Sequence, residues 1–508
     1  MEQNYVGVID QGTTGTRFMT FDHDGRVVAS AYERLEQYYP EPGWVEHDPV
    51  EIWEGATRAV TRGLSTASLD ATHLATIGVT SQRETTVVWD EESGKPVHNA
   101  LVWEDRRTTD RVEELDAETA ERVSDRTGLE PDAYFSAPKL SWILDEAEPL
   151  KLRNSRAESV RDRAERGELC FGTVDSWLVY NLTGHHTTDV TNAARTMLYD
   201  IHELDWDDDL LAAFDVPRPI LPEVGPSADP ETYGSTDPEG FLGAEVPVTG
   251  VIGDQQAALL GQTCFDVGDA KNTYGTGSFY LMNTGEEAVD SEHGLLTTVA
   301  FQRAGEPPEY ALEGAVFTSG GGIEWLEDVG FVDGPAETAE LARSVDSTEG
   351  VYMVPAFSGL GTPYWDDEAR GTLAGMSRGT RREHIVRATL ESIAYQTRDI
   401  AEAMEADTDD DVSELRVDGG AVRNDFFCQL QADVLGATVV RPAVDETTAL
   451  GAAYAAGLAV DYWDSRDELR SHWRTDREFE PEMDQSEADR RYRRWRAAVE
   501  RTLTSPEE

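Results

Sequence analysis

The chain has 508 residues, and its 99 Asp and Glu outnumber 43 Lys and Arg for a formal net charge of −56. That length exceeds one compact core and predicts two or three domains. With 39% hydrophobic residues and 12 Trp, the acidity is not that of a disordered tail. It excludes nucleic acid and anionic membrane surfaces as main partners, because polyanions repel each other.

Only Lys95, Lys139, Lys151 and Lys271 are lysines; the remaining basic residues are Arg. A carboxylate-rich surface of this kind needs salt to screen its self-repulsion, and the Debye length shrinks to about 3 Å at 1 M. The composition therefore reads as adaptation to a high-salt cytoplasm, the other reading being a merely acidic protein at ordinary ionic strength. Cys170, Cys264 and Cys428 are far apart and form neither a CxxC unit nor a metal pattern, which suits a reducing compartment. Residues 1–4 lack a basic leader region and 6–9 are too short for a signal core. The apolar stretch 449–460 holds two glycines and falls short of a membrane span. A soluble, cytoplasmic chain is expected.

In chain order, 5–9 (YVGVI) reads as a strand ending in Asp10, and 22–25 (DHDG) as a hairpin turn before Val27 and Val28. A helix starts after Asp48 as N-cap, with Pro49 at its first position and Glu51 closing a capping box. Short strands at 77–80 and 86–89 flank the polar run Gln82, Arg83, Glu84. Residues 217–247, rich in Pro, Gly and acids, read as loops. Then 248–254 (VTGVIGD) repeats the strand-to-acid opening of the N-terminus, placing a boundary near 250. Helices are predicted over 385–406, 424–435 (stopped by Gly436) and 447–458. Strands alternating with helices imply an α/β class.

Three Gly/Thr-rich turns carry the chemistry. The first, 10–17 (DQGTTGTR), offers backbone N–H groups, hydroxyls and one Arg to a phosphate, with a carboxylate placed for a metal; a plain hairpin turn is the other reading. The second is 272–278 (NTYGTGS). The third, 418–425 (DGGAVRND), leads from a strand into a helix N-terminus. No P-loop, dinucleotide fingerprint or protein-kinase signature is present. Asp254 ends a buried strand and could accept a proton from a substrate hydroxyl, or could simply N-cap the helix from Gln255. Arg83 with Glu84 makes a clamp for a small polyol, or else a surface ion pair. His185 and His186 lack a third ligand and read as solvated loop residues, and the sequon at Asn181 is expected to stay unused.

Taken in order, these runs resemble the FGGY carbohydrate kinases, and within them the members that act on glycerol. The resemblance rests on DQGTT at 10–14, PGWVEHDP at 42–49, QRETT at 82–86, GTVDSW at 172–177 and GDQQA at 253–257. It continues through KNTYGTG at 271–277, LEGAVF at 312–317, PYW at 363–365, ESIAYQTRD at 391–399 and RVDGGAV at 416–422. It implies two actin- and hexokinase-like (ribonuclease H-like) domains, 1–250 and 251–508, around a central cleft. The activity implied is ATP-dependent phosphorylation of glycerol to sn-glycerol 3-phosphate, by a homo-oligomer (dimer or tetramer), with Mg²⁺.

Carried over by matching position, Thr13, Thr14, Gly15, Arg17 and Thr276 become phosphate contacts, Gly15 standing where bacterial members often have Ser. Gly320, Glu324, Gly420 and Asn424 become nucleotide contacts, Glu324 replacing the bacterial Gln. Arg83, Glu84, Tyr134, Asp254 and Gln255 become the glycerol set, with Trp103 and Phe279 against its carbons. Asp254 becomes the general base, and Asp10 with Asp254 organises Mg²⁺ through water. Glu245 replaces an Arg that holds fructose 1,6-bisphosphate in regulated members, so that inhibition is expected to be absent or to work through another site. The segment 481–489 does not reproduce their phosphocarrier-docking site. Two other readings stay open: a kinase for a pentulose or erythritol-like polyol, and a non-catalytic ATP-binding sensor.

Overall fold

The computed structural model describes residues 4–147, 159–408 and 411–504; positions 1–3, part of the stretch read for a leader, lie outside them. Two sheets organise the chain, and each begins with the same move. Strand Tyr5–Gly12 turns at Thr13 and Thr14 into antiparallel Gly15–Phe21, which turns again into Val27–Arg34. Leu74–Ser81 and then Val248–Gly253 join in parallel on the other side, completing five strands. In the second sheet Ala270–Tyr274 turns through Gly275, Thr276 and Gly277 into antiparallel Ser278–Gly285, with Glu309–Val316 and Leu296–Phe301 beyond it. Glu414–Gly419 and Thr438–Pro442 add in parallel on the opposite side, and antiparallel Thr475–Phe479 makes seven strands.

The parallel strands of each sheet deliver their carboxyl ends to one region, where α/β folds bind ligands. Asp10, Arg83 and Asp254 stand at or just beyond such ends in the first sheet; Thr273 and Gly419 do so in the second. The expected α/β architecture of paired domains is what the chain adopts.

Helix Thr447–Ala459 shows why the late apolar stretch needs no membrane. It is buried on every face, as a helix apolar all round must be. It lies across the first sheet, where a Cβ at Gly78 would stand 2.6 Å from the Ala452 carbonyl oxygen and one at Gly250 2.4 Å from the Ala456 nitrogen. Small residues at both surfaces permit that approach. Among the described residues no helix is long and apolar enough to cross a membrane.

Some local expectations change. Asp48 does cap helix Pro49–Thr66, its carboxylate accepting from Val50 N, but Glu51 closes no capping box; its Oε1 accepts the Tyr38 hydroxyl at 2.9 Å instead. The helix expected over 385–406 spans Arg382–Thr408, and its buried Leu390, Ile393 and Ala394 pack with Leu312, Leu415 and Phe427 in the second core. His186 is not a solvated loop residue: its ring lies edge-on to Trp89 and its Nε2 meets the Phe171 carbonyl at 2.6 Å. His185 is exposed. The three cysteines are free and buried.

Candidate active site

Asp254 is not an N-cap. Gly253 takes that position and Asp254 is the first residue of helix Asp254–Gly261, so its carboxylate is free of the cap hydrogen bonds that would have occupied it. Gly253 is needed here because a Cβ would come within 2.9 Å of the Arg83 Cδ. The Asp254 side chain is 26% exposed, and its Oδ1 faces Arg83 Nε at 3.3 Å. That oxygen is buried without a hydrogen-bond partner. Burial raises the Asp254 carboxyl above its usual range, Arg83 opposes the rise and Glu84 adds to it.

The Arg83–Glu84 pair is not on the surface. Both side chains are about 2% exposed, and Glu84 adopts a left-handed backbone with φ of 60°, a strained conformation of the kind found where a site needs a side chain aimed in one direction. Arg83 makes a two-pronged contact with Glu313, Nη1 to Oε2 at 2.6 Å and Nη2 to Oε1 at 2.9 Å. Arg195 donates from Nε to Glu84 Oε1 at 2.7 Å and approaches Glu313 at 3.1 Å. Two Arg thus face two Glu in the interior. Burial alone would raise the Glu313 carboxyl, but Arg195 and Arg83 outweigh it and hold it down to about 2. Burial also works against the Arg83 charge, and Glu313 and Glu84 outweigh it.

Around this charged floor stand the aromatic walls. Trp103 and Phe279 meet edge-on with ring centroids 6.1 Å apart, and Tyr134 closes against Trp103 at 5.8 Å. The Tyr134 loop is held by Lys139, whose Nζ donates to the carbonyls of Ala133, Tyr134 and Phe135 at 2.7, 2.5 and 2.9 Å. Gln255 is oriented by Lys271 Nζ, 2.6 Å from its Oε1. These side chains enclose a cavity of about 330 Å³ that Thr13, Thr14, Thr276 and Glu324 also line.

A second cavity of about 830 Å³ adjoins it, sharing Gly275, Thr276 and Glu324 and lined further by Gly320, Gly420 and Asn424. Gly320 begins a helix seated on the 275–277 turn; its N–H donates to the Gly275 carbonyl at 2.9 Å, and a Cβ would stand 2.4 Å from that oxygen. Asn424 caps helix Asp425–Leu435 through Phe426 N and Phe427 N. Burial raises the Glu324 carboxyl, with Asp328 and Glu327 adding.

The structure thus brings the polyol set together in one cavity and the nucleotide set into its neighbour. Gly15 lines neither: it sits in the second strand, where a Cβ would be 2.4 Å from the Glu33 carbonyl oxygen. Arg17 is ion-paired with Glu446 and lines a third cavity of about 250 Å³, beside Gly420 and Arg423. Asp10 lies within the first strand, two residues before its end, and burial pushes its carboxyl up to about 7, with Arg17 opposing and Asp254 adding. Among the described residues no group of three His, Cys, Asp or Glu could by itself hold a metal ion.

Glu313, Arg195, Lys139 and Lys271 were not assigned roles by sequence reasoning. Lys139 and Lys271 had a signal: they are two of the few lysines in a chain that avoids them, and both are fully buried. Glu313 had a weaker one, as a charge in the middle of an otherwise apolar strand whose other Glu, Glu309, stands at its start.

Residues 5–261 match the model of the FGGY family of carbohydrate kinases, N-terminal domain, and residues 270–460 match the C-terminal domain. A glycerol kinase of Halobacterium salinarum is 69% identical over 504 residues, 99% of either chain. Glycerol kinase 2 of Thermotoga maritima is 53% identical over 503 residues, 98% of this chain and 99% of that one. The solved structure of Plasmodium falciparum glycerol kinase with ADP superposes with a TM-score of 0.88 at 37% identity, covering 99% of both chains. A ligand-bound xylulose kinase from Lactobacillus acidophilus shares the fold, with a TM-score of 0.83 at 20% identity over 98% and 97%.

Proposed function

The chain belongs to the FGGY family of carbohydrate kinases, and from that premise we propose that it transfers the γ-phosphoryl group of ATP to glycerol, giving sn-glycerol 3-phosphate. The observation that carries the reading is the small cavity itself. Charged residues on its floor, Arg83, Glu84 and Asp254, can each take a hydroxyl of a three-carbon polyol. Trp103 and Phe279 face its carbons, and hydroxyl-bearing turns stand where phosphates must approach. The relatives named glycerol kinase support the same substrate.

In this reading Asp254 is the general base. Arg83 Nε faces Oδ1 and favours the ionised carboxylate, which leaves Oδ2 to accept the proton of the attacking hydroxyl as the new O–P bond forms. A carboxylate raised by burial is a stronger base than one in water. Phosphoryl transfer needs little beyond alignment and charge neutralisation. Thr13, Thr14 and Thr276 supply hydroxyls and N–H-rich turns for the phosphates. For Arg17 to add its charge to them, its ion pair with Glu446 must open.

A divalent cation fits the two carboxylates. Asp10 is raised to about 7 chiefly by burial, and Asp254 Oδ1 has no hydrogen-bond partner beside its ion pair with Arg83, so each carboxylate would gain from a further positive charge. Mg²⁺ commonly takes one or two carboxylates with water and substrate phosphates, and here Asp10 and Asp254 would hold it through water. Its chemistry would be neutralisation of phosphate charge. The larger cavity, lined by Gly320, Gly420, Asn424 and Glu324, would take the nucleoside.

The test is a substrate panel in ~2 M KCl, where salt screens the surface charge: ATP-dependent turnover of glycerol, erythritol and xylulose. Glycerol should exceed both alternatives in kcat/KM by at least about tenfold, equivalent to about 1.4 kcal/mol. A pentulose or erythritol preferred over glycerol would reject the substrate assignment.

A further inference from the structure

Two runs quoted above, 42–49 and 82–86, contribute residues that the polyol clamp does not use: His47, Gln82 and Thr85. The structure joins them in a closed circuit. Trp103 Nε1 donates to Thr13 Oγ1 at 3.0 Å. Gln37 Nε2 donates to the Thr13 carbonyl at 2.7 Å, while Gln37 Oε1 meets His47 Nε2, also at 2.7 Å. Gln82 Nε2 meets His47 Nδ1 at 3.3 Å, and Thr85 Oγ1 donates to Gln82 Oε1 at 3.1 Å. Finally the Trp103 backbone N–H donates to Thr85 Oγ1 at 3.2 Å, which returns the path to its start.

The polarity of the circuit is internally consistent. The Gln37 amide uses its NH₂ on a carbonyl, so its oxygen faces His47 and requires a proton on Nε2. His47 Nδ1 is then an acceptor, matching the NH₂ of Gln82, whose oxygen is left for the Thr85 hydroxyl. His47 and Thr85 are 0% exposed and Gln82 is 2% exposed. In such an interior each unmade hydrogen bond costs more than in water, so the ring holds as a unit.

The two ends of the circuit are functional. Trp103 is a wall of the polyol cavity and Thr13 belongs to the phosphate turn, and both line the same cavity. Because the Thr13 hydroxyl accepts from the indole, its own proton must point away from Trp103, where a phosphate oxygen could receive it. A polyol packed on the Trp103 ring fixes the indole and thereby that hydroxyl.

We propose that the Thr13–Gln37–His47–Gln82–Thr85–Trp103 circuit couples the two subsites, so that occupation of the polyol pocket tightens nucleotide binding and the reverse. This rests on the assignment of the two subsites made above. Linkage requires the effect to be reciprocal. His47, which contacts neither subsite directly, acts as a positioning residue within it.

The experiment is calorimetry on the full chain in ~2 M KCl, using ADP as a probe that cannot phosphorylate glycerol. The ADP Kd is measured without and with saturating glycerol, and the glycerol Kd without and with ADP. Wild type should show the same tightening in both directions, about tenfold. Trp103→Phe removes the indole N–H and keeps a ring, while His47→Gln opens the circuit away from both ligands. Each should reduce the coupling to below about twofold, equivalent to less than about 0.4 kcal/mol. Thr85→Val, nearly isosteric, serves where either variant fails to fold. If wild type does not bind glycerol, the functional assignment itself has failed. If it binds both ligands without coupling, or if the folded variants keep the full coupling, the circuit proposal is overturned while that assignment stands.

Discussion

The two adjoining cavities are built on different principles. The smaller one, about 330 Å³, has Arg83 and Glu84 in its lining, and behind them Arg195 and Glu313 complete an ion-paired cluster whose four members are all 2% exposed or less. The larger one, about 830 Å³, mixes Gly275, Gly320, Gly420, Ala336, Ala339 and Ala421 with the charged Glu324, Arg343, Arg423 and Asp425, none of which is buried. A buried ion-pair floor costs desolvation and returns a fixed geometry. A cavity walled largely by small residues, with its charges at the exposed rim, accepts a flat ligand with few directional contacts. Substitutions in the first should therefore be severe and specific to the polyol, and those in the second mild and specific to the nucleotide.

The largest stability effect expected is at Glu313. Glu313→Gln leaves Arg83 and Arg195 facing one carboxylate fewer in the interior, which should cost about 3–5 kcal/mol of stability. Denaturant unfolding at fixed high salt would measure it. The double variant Arg195→Gln with Glu313→Gln restores charge balance and should recover much of that loss; if the single variant is as stable as wild type, the floor is not held by its charges.

Next comes His47. Burial pushes its imidazole down to about 4, so it is neutral in the folded chain and titrates near 6.5 when unfolded. A lowered folded pKa means that its contribution is complete above pH 6.5 and is lost as pH falls toward 4, by about 3 kcal/mol in all. Unfolding measured between pH 6.5 and 4 should fall less steeply in His47→Gln than in wild type. Parallel curves would contradict the buried, neutral histidine.

A smaller effect should come from Ala339→Leu in the larger cavity. It should raise KM for ATP about threefold to tenfold, worth about 0.7–1.4 kcal/mol, and leave KM for glycerol unchanged. A change in glycerol KM alone would reverse the assignment of the two cavities. The smallest effect belongs to the 239–245 loop, where exposed Glu245 stands. Fructose 1,6-bisphosphate should leave the rate within error of the untreated enzyme, and inhibition at micromolar concentration would contradict that.

How much of this was legible from the sequence depends on whether the cause was local. The strand-to-acid openings at Asp10 and Asp254, the turns at 13–14 and 275–277, and Gly436 ending its helix are all short-range signals. Each appears in the structure near where the residue pattern places it, except that the first strand continues past Asp10 to Gly12. Glu51 misled because Tyr38, thirteen residues earlier, competes for its carboxylate. His186 misled because Trp89 and Phe171 enclose it from distant segments. Glu313 was not recognised because its partner Arg83 lies 230 residues away, just beyond a strand of the other sheet. A charge on a strand can face solvent or a buried ion pair, and periodicity alone cannot distinguish them.

The central claim is that Asp254 takes the substrate proton. It is tested most directly by replacing it with Asn and measuring glycerol binding by calorimetry beside single-turnover phosphorylation with Mg-ATP, both in ~2 M KCl. The account predicts a folded variant that still binds glycerol but transfers phosphate about 10² to 10⁴ times more slowly. A variant that binds glycerol and retains a transfer rate within about tenfold of wild type would show that Asp254 anchors the substrate without acting as its base.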